Sequence, residues 1–134
     1  MPLWSRLYGM VWLSFLAFLT ILPPLSPALP ALVHMLIGVA VIALAAANRS
    51  ALGATAAPAR LKRVARATLN MSIAAAVIGI LLFVVRLYFW NDLLGGLFQL
   101  AHLAVAAAIL TQAASVATAY DMWEEREFLP VGTS

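Results

Sequence analysis

Apolar residues run along this chain in long unbroken blocks, and polar residues collect between the blocks. Four blocks, at roughly 7–24, 28–47, 67–89 and 94–118, reach the ~20 residues a helix needs to cross the hydrocarbon of a bilayer. No stretch alternates polar and apolar positions over the length of a strand, so a membrane β-barrel is not indicated. The pattern predicts an all-α fold: a polytopic membrane four-helix bundle forming one transmembrane domain over 1–134, with a helical tail at 119–134. Pro23-Pro24 ends the first block, because proline lacks the N–H that a continuing helix needs. Pro27 and Pro30 then shape a tight turn. The segment "NRSALGATAAPARLKR" is small, polar and basic, and reads as a flexible connector across 48–66.

Composition agrees with this reading. Of 134 residues, 65% are hydrophobic, with eight Lys or Arg and five Asp or Glu. A soluble domain of this length needs more charge on its surface. There is no cysteine, hence neither a disulfide nor a thiolate ligand. The first block is expected to be a membrane span and not a cleaved leader, since "LAFLTILPPL" runs on at full span length.

The charges are sorted by position. Arg49, Arg60, Lys62, Arg63 and Arg66 lie in or beside the connector between the second and third blocks, and Arg6 precedes the first. The "PPLSPALP" turn has no charge. The positive-inside rule therefore places the connector and both termini in the cytoplasm, in a multi-pass protein of the cytoplasmic membrane. Asp121, Glu124, Glu125 and Glu127 follow the fourth block and count little in that rule. Trp90 falls where an interfacial aromatic belongs. The net charge of +3 is no signal for nucleic acid here. The bilayer is the expected partner, with a homo-oligomer or a respiratory complex as further association.

The two halves have the same plan: an outgoing helix, a short outer turn, and an ingoing helix with a histidine near its outer end. Superposing His34 on His102 sets Pro23-Pro24 against Asn91-Asp92, the arrangement of a parallel repeat about an axis along the membrane normal. These are the only two histidines. At ~1.5 Å per residue each should sit on the order of 10 Å below the outer boundary. Related by a two-fold axis, the imidazoles can face each other across the bundle. That is how a planar macrocycle is held between two axial nitrogens, with neutral imidazoles and no buried charge. Gly38, at i+4 from His34, and Gly95, at i−7 from His102, share the histidine faces and leave room for a ring. Arg86, near the outer end of the third helix, is placed to meet anionic propionates, or alternatively to snorkel to headgroups. A zinc site is not favoured, because zinc takes three or four protein ligands. No Asp or Glu lies within a span to build a proton path. Thr111, Ser115 and Thr118 share a face of the fourth helix, either bonding across to a neighbour such as Asn70 or Ser72 or returning bonds to their own helix.

The segments "LPALVHMLIGVAVIAL" and "GLFQLAHLAVAAAIL" resemble those of the haem A synthase family, membrane enzymes that oxidise a methyl of haem O to a formyl group. Members usually have two similar four-helix halves, each with one histidine in its second helix and one in its fourth. This chain resembles one such half over nearly its whole length. The resemblance implies that His34 and His102 are axial ligands to haem iron, either b-type haem or haem O/A as substrate and product. It also implies a role in haem A biosynthesis and cytochrome oxidase assembly. The family's catalytic half carries Glu-x-x-His-Arg, whereas this chain has Ala31, Leu32, Val33, His34 and Met35. The expected function is a compact haem A synthase-like oxidoreductase. The alternatives are an electron-transfer cytochrome b subunit of a respiratory complex and a haem-free structural or assembly subunit.

Overall fold

The computed structural model describes residues 2–20, 31–89 and 92–127. They form four α-helices: α1 Leu3–Leu19, α2 Ala31–Gly53, α3 Ala59–Tyr88 and α4 Asp92–Glu127. No strand occurs among the described residues. The all-α bundle expected from the apolar blocks is what the chain forms. α2, α3 and α4 are each long and apolar enough to cross a membrane, and the described part of α1 adds 17 residues. The chain is thus a multi-pass membrane protein. The Pro23-Pro24 break, the outer turn with Pro27 and Pro30, the Trp90 position, Asn91 and the end of the tail lie outside the described residues.

Helix ends follow local chemistry. Pro2 and Pro58, both in extended backbone, immediately precede α1 and α3, where a residue with fixed φ and no N–H to satisfy suits the first turn. Asp92 puts a carboxylate at the positive end of the α4 dipole.

The connector is much shorter than expected. Only residues 54–58 separate α2 from α3; the rest of 48–66 is helical. Its Ala, Leu, Arg and Lys residues are strong helix formers, and charge at a membrane boundary does not end a helix. The turn itself is tied down. Thr55 donates its hydroxyl to the Leu52 carbonyl, and Lys62 Nζ donates to the carbonyls of Thr55 at 2.7 Å and Gly53 at 3.4 Å. α1 likewise begins earlier than expected, at Leu3.

The helices form a ring in which each packs on its neighbours in sequence and α1 closes onto α4; among the described residues the diagonal pairs α1/α3 and α2/α4 keep their backbones apart. Two apolar layers fill the ring. The lower joins Leu7, Leu52, Leu61, Ala65, Val116 and Tyr120. The upper joins Met10, Val41, Ala45, Leu69, Ile109 and Ala113. A hydrogen bond from Tyr8 to Asp121 at 2.6 Å ties α1 to α4 beside the lower layer. Between the layers, Asn48 is buried and donates to the Arg6 carbonyl at 3.4 Å. Above the upper layer the packing thins: of residues 76–89 and 92–108, only Val85 and Gly95 are buried, and of 31–40 none is.

Leu52, fully buried at 0% exposure, belongs to the stretch that sequence reading assigned to a flexible connector. Leu52→Ala is expected to lower the stability of the detergent-purified protein by about 2–5 kcal/mol, because it opens a cavity in the lower layer. Unfolding by denaturant reads this directly. An unchanged midpoint would mean that the α2 extension is not packed in solution.

Candidate functional site

The thin upper region holds both histidines. His34 lies in the first turn of α2, three residues before Ile37, which packs on the upper layer. His102 lies on α4, three residues before Val105, which does the same. α2 and α4 are diagonal in the ring, so the two half-buried imidazoles meet across its interior. Their centroids are 5.9 Å apart and their planes are inclined at 61°.

Each ring is fixed from behind through Nδ1. His102 Nδ1 lies 3.0 Å from the Ala75 carbonyl on α3. A carbonyl carries no proton, so Nδ1–H is the donor and Nε2 keeps its lone pair. His34 Nδ1 lies 2.6 Å from Thr20 Oγ1, and the Thr20 hydroxyl donates its one proton to the Ala17 carbonyl at 2.6 Å. The Thr20 oxygen is then an acceptor, and His34 Nδ1–H is again the donor. Both histidines therefore hold the same tautomer. Among the described residues, neither Nε2 has a hydrogen-bond partner.

A metal-ligating histidine commonly donates its second ring N–H to a carbonyl or other acceptor, which fixes tautomer and ring orientation. Both rings have that arrangement. Among the described residues, no group of three or more His, Cys, Asp or Glu comes together. Two nitrogens alone do not complete a zinc site, whereas they do complete a metal that brings its own equatorial ligands. Two imidazoles on opposite sides of one metal, with bonds of about 2 Å, have centroids roughly 6 Å apart. The observed 5.9 Å matches that spacing. It also falls in the range of ordinary aromatic contact, so the distance gains its meaning from the matched tautomers.

No family model, curated protein or solved structure matches this chain.

The glycines divide. A Cβ at Gly38 would meet nothing within 4 Å, so the space beside His34 is open. At Gly95, which is buried, a Cβ would lie 3.8 Å from Arg86 Cγ and Nε, an ordinary contact, so the arginine stem packs on this position without requiring a glycine. Sequence reading missed Gly79 on α3. A Cβ there would lie 3.2 Å from His102 Cε1 and 3.5 Å from Nδ1. Its bare backbone lets the imidazole lie against α3 and reach Ala75, one turn earlier. Thr20 was missed as well; the available signal was a hydroxyl at the end of an apolar run.

Arg86 is exposed and donates from Nη2 to Gln99 Oε1 at 2.7 Å. Gln99 is one turn from His102 on α4, so Arg86, Gln99 and Gly95 form a rim above that imidazole. Two of the three α4 hydroxyls return to their own helix, Thr111 to the carbonyls of Ala107 and Ala108 and Ser115 to that of Thr111, while Thr118 hydrogen-bonds across to Tyr8 of α1. Asn70 is exposed, and Ser72 bonds back to Thr68. The cross-helix polar contact in that region is Thr68 to Gln112 Oε1 at 3.3 Å. These residues sit within i−3 or i−4 reach of a backbone carbonyl, which is always available to a helical hydroxyl.

Proposed function

We propose that this chain is a membrane haem protein of the oxidoreductase class, with His34 and His102 as the two axial ligands. The observation that supports it best is the pair of imidazoles 5.9 Å apart, each held through Nδ1 so that its Nε2 keeps a lone pair. The chain's part is to orient the imidazoles through Thr20 and Ala75 and to leave ring space beside Gly38. Arg86, already turned toward the histidine side by Gln99, is the group to hold a propionate through charge-assisted hydrogen bonds. Haem, when bound, supplies one-electron redox chemistry at the iron.

A visible spectrum of the purified protein tests this reading. A low-spin haem spectrum is expected, and extraction identifies the porphyrin. Haem b would favour an electron-transfer cytochrome. Haem O or haem A would favour oxidation of the haem methyl, the haem A synthase-like activity. A protein purified from haem-replete cells without any haem would instead be a structural or assembly subunit.

The proposed orientation puts the histidine end outside and the 54–58 turn in the cytoplasm, on the strength of the basic residues flanking that turn. Ala54 is exposed in the turn, and the native chain has no cysteine to interfere. Ala54→Cys is expected to resist an impermeant maleimide added to intact cells and to react once the cells are opened. Labelling from outside would invert the topology and move the histidine pair to the cytoplasmic side.

A further inference from the structure

The end of the bundle remote from the histidines carries a second candidate site. A groove of about 340 Å³ follows the seam between the start of α3 and the end of α4. Pro58, Leu61 and Val64 form one wall, Val116 and Ala119 the other, and Arg60 also lines it. Its remaining polar wall residue, Ser115, spends its hydroxyl on the Thr111 carbonyl. The size lies within the range of small-molecule pockets, and the lining is apolar with one cation.

Basic residues crowd its α3 side. The first two turns of α3 hold Arg60, Lys62, Arg63 and Arg66, and no acidic residue lies in the first turn. Lys62 is committed to the α2 end through Gly53 and Thr55. Arg60 and Arg63 are exposed, one turn apart, and without an ion pair or hydrogen bond among the described residues. Of the α4 carboxylates, Asp121 accepts from Tyr8 of α1 and Glu124 from Tyr120, Glu125 is exposed, and none of these three lines the groove. α3 has 30 residues, about 45 Å at 1.5 Å each, against a hydrocarbon core of ~30 Å. Its first turns therefore lie at headgroup level, with the groove leading down toward the acyl chains.

We propose that this groove holds one acidic phospholipid of the adjoining leaflet, with its phosphate against Arg60 and Arg63 and an acyl chain along Leu61, Val64 and Val116. A basic pocket between membrane helices is the kind of surface that selects anionic headgroups. The assignment is independent of the haem reading, since the two sites occupy opposite ends of the bundle.

Native mass spectrometry of the full chain in detergent tests it, with phosphatidylglycerol or phosphatidylcholine of identical acyl chains as probe. Retained phosphatidylglycerol is expected to exceed phosphatidylcholine by about fivefold for each arginine engaged. Arg60→Gln should remove about one such factor, and Arg60→Lys should keep the preference. Ala119→Trp, which fills the groove, should lower retention of both lipids. Arg49→Gln is the control, because Arg49 is exposed on α2 and not in the α3/α4 seam, and it should bind like the parent. Equal retention of the two lipids by the parent would overturn the site. So would an equal loss in Arg49→Gln, which would make the attraction a diffuse charge effect. Displacement of phosphatidylglycerol by inorganic phosphate would also overturn it, by reducing the site to an anion contact without an acyl chain.

Discussion

His102→Ala is expected to remove the low-spin haem spectrum, with haem content falling more than about tenfold while the protein still inserts and purifies. The variant loses one axial nitrogen and leaves an empty space between α3 and α4. Neither loss touches the two apolar layers that hold the helices together, which lie below the histidines. His34→Ala should behave alike, since His34 faces the same centre from the diagonal helix. Haem content in each variant, set against the parent at equal protein, gives the answer. Parent-like spectra from both variants would sink the axial pair. Loss in only one would mean that the second ligand comes from another subunit.

Gly79→Leu should produce a similar loss without changing any ligand. A Cβ at this position already falls 3.2 Å from the His102 ring, closer than packing normally allows. A leucine must push the imidazole off α3 and away from the Ala75 carbonyl, which frees its orientation and tautomer. Overpacking of this kind costs about 1–3 kcal/mol, and here the yielding group is the ring itself rather than the backbone. Gly79→Ala should give an intermediate loss. Gly38→Ala, where the added methyl meets nothing, should leave folding unchanged. Unfolding midpoints measured beside haem content separate a displaced ligand from a damaged fold. A Gly79→Leu protein with the parent's haem content would show that His102 is not held as described.

The span pattern and the pairing of His34 with His102 were legible in the sequence, because both depend on one-dimensional facts. Run length fixes the spans, and equal depth on parallel helices places two rings at one level. The 48–66 segment was misread for a physical reason. Its charges mark the edge of the hydrocarbon, yet Leu52, Leu61 and Ala65 continue an apolar face into the lower layer. A helix ends where its backbone or packing ends, not where lipid does. Gly79 and Thr20 could not be found by inspecting α2 and α4 alone. Their importance comes from which helix lies behind each histidine, and only the closed ring supplies that. The hydroxyl stripe on α4 was legible only in part: Thr111 and Ser115 find partners in their own backbone, whereas Thr118 reaches Tyr8 of α1.

The thinning of the core above the upper layer has a consequence for how the proposed haem would enter. The four helices resemble the prongs of a tuning fork, clamped at the stem by two filled layers and by the Tyr8–Asp121 bond. Local opening is easiest where few apolar side chains are buried, so the prongs can part while the stem stays shut. Amide hydrogen exchange should then be slow around Leu52 and Val116 and faster around Met35 and Leu97. A flat molecule could enter from the side of the membrane, between the tips, without the fold ever coming undone.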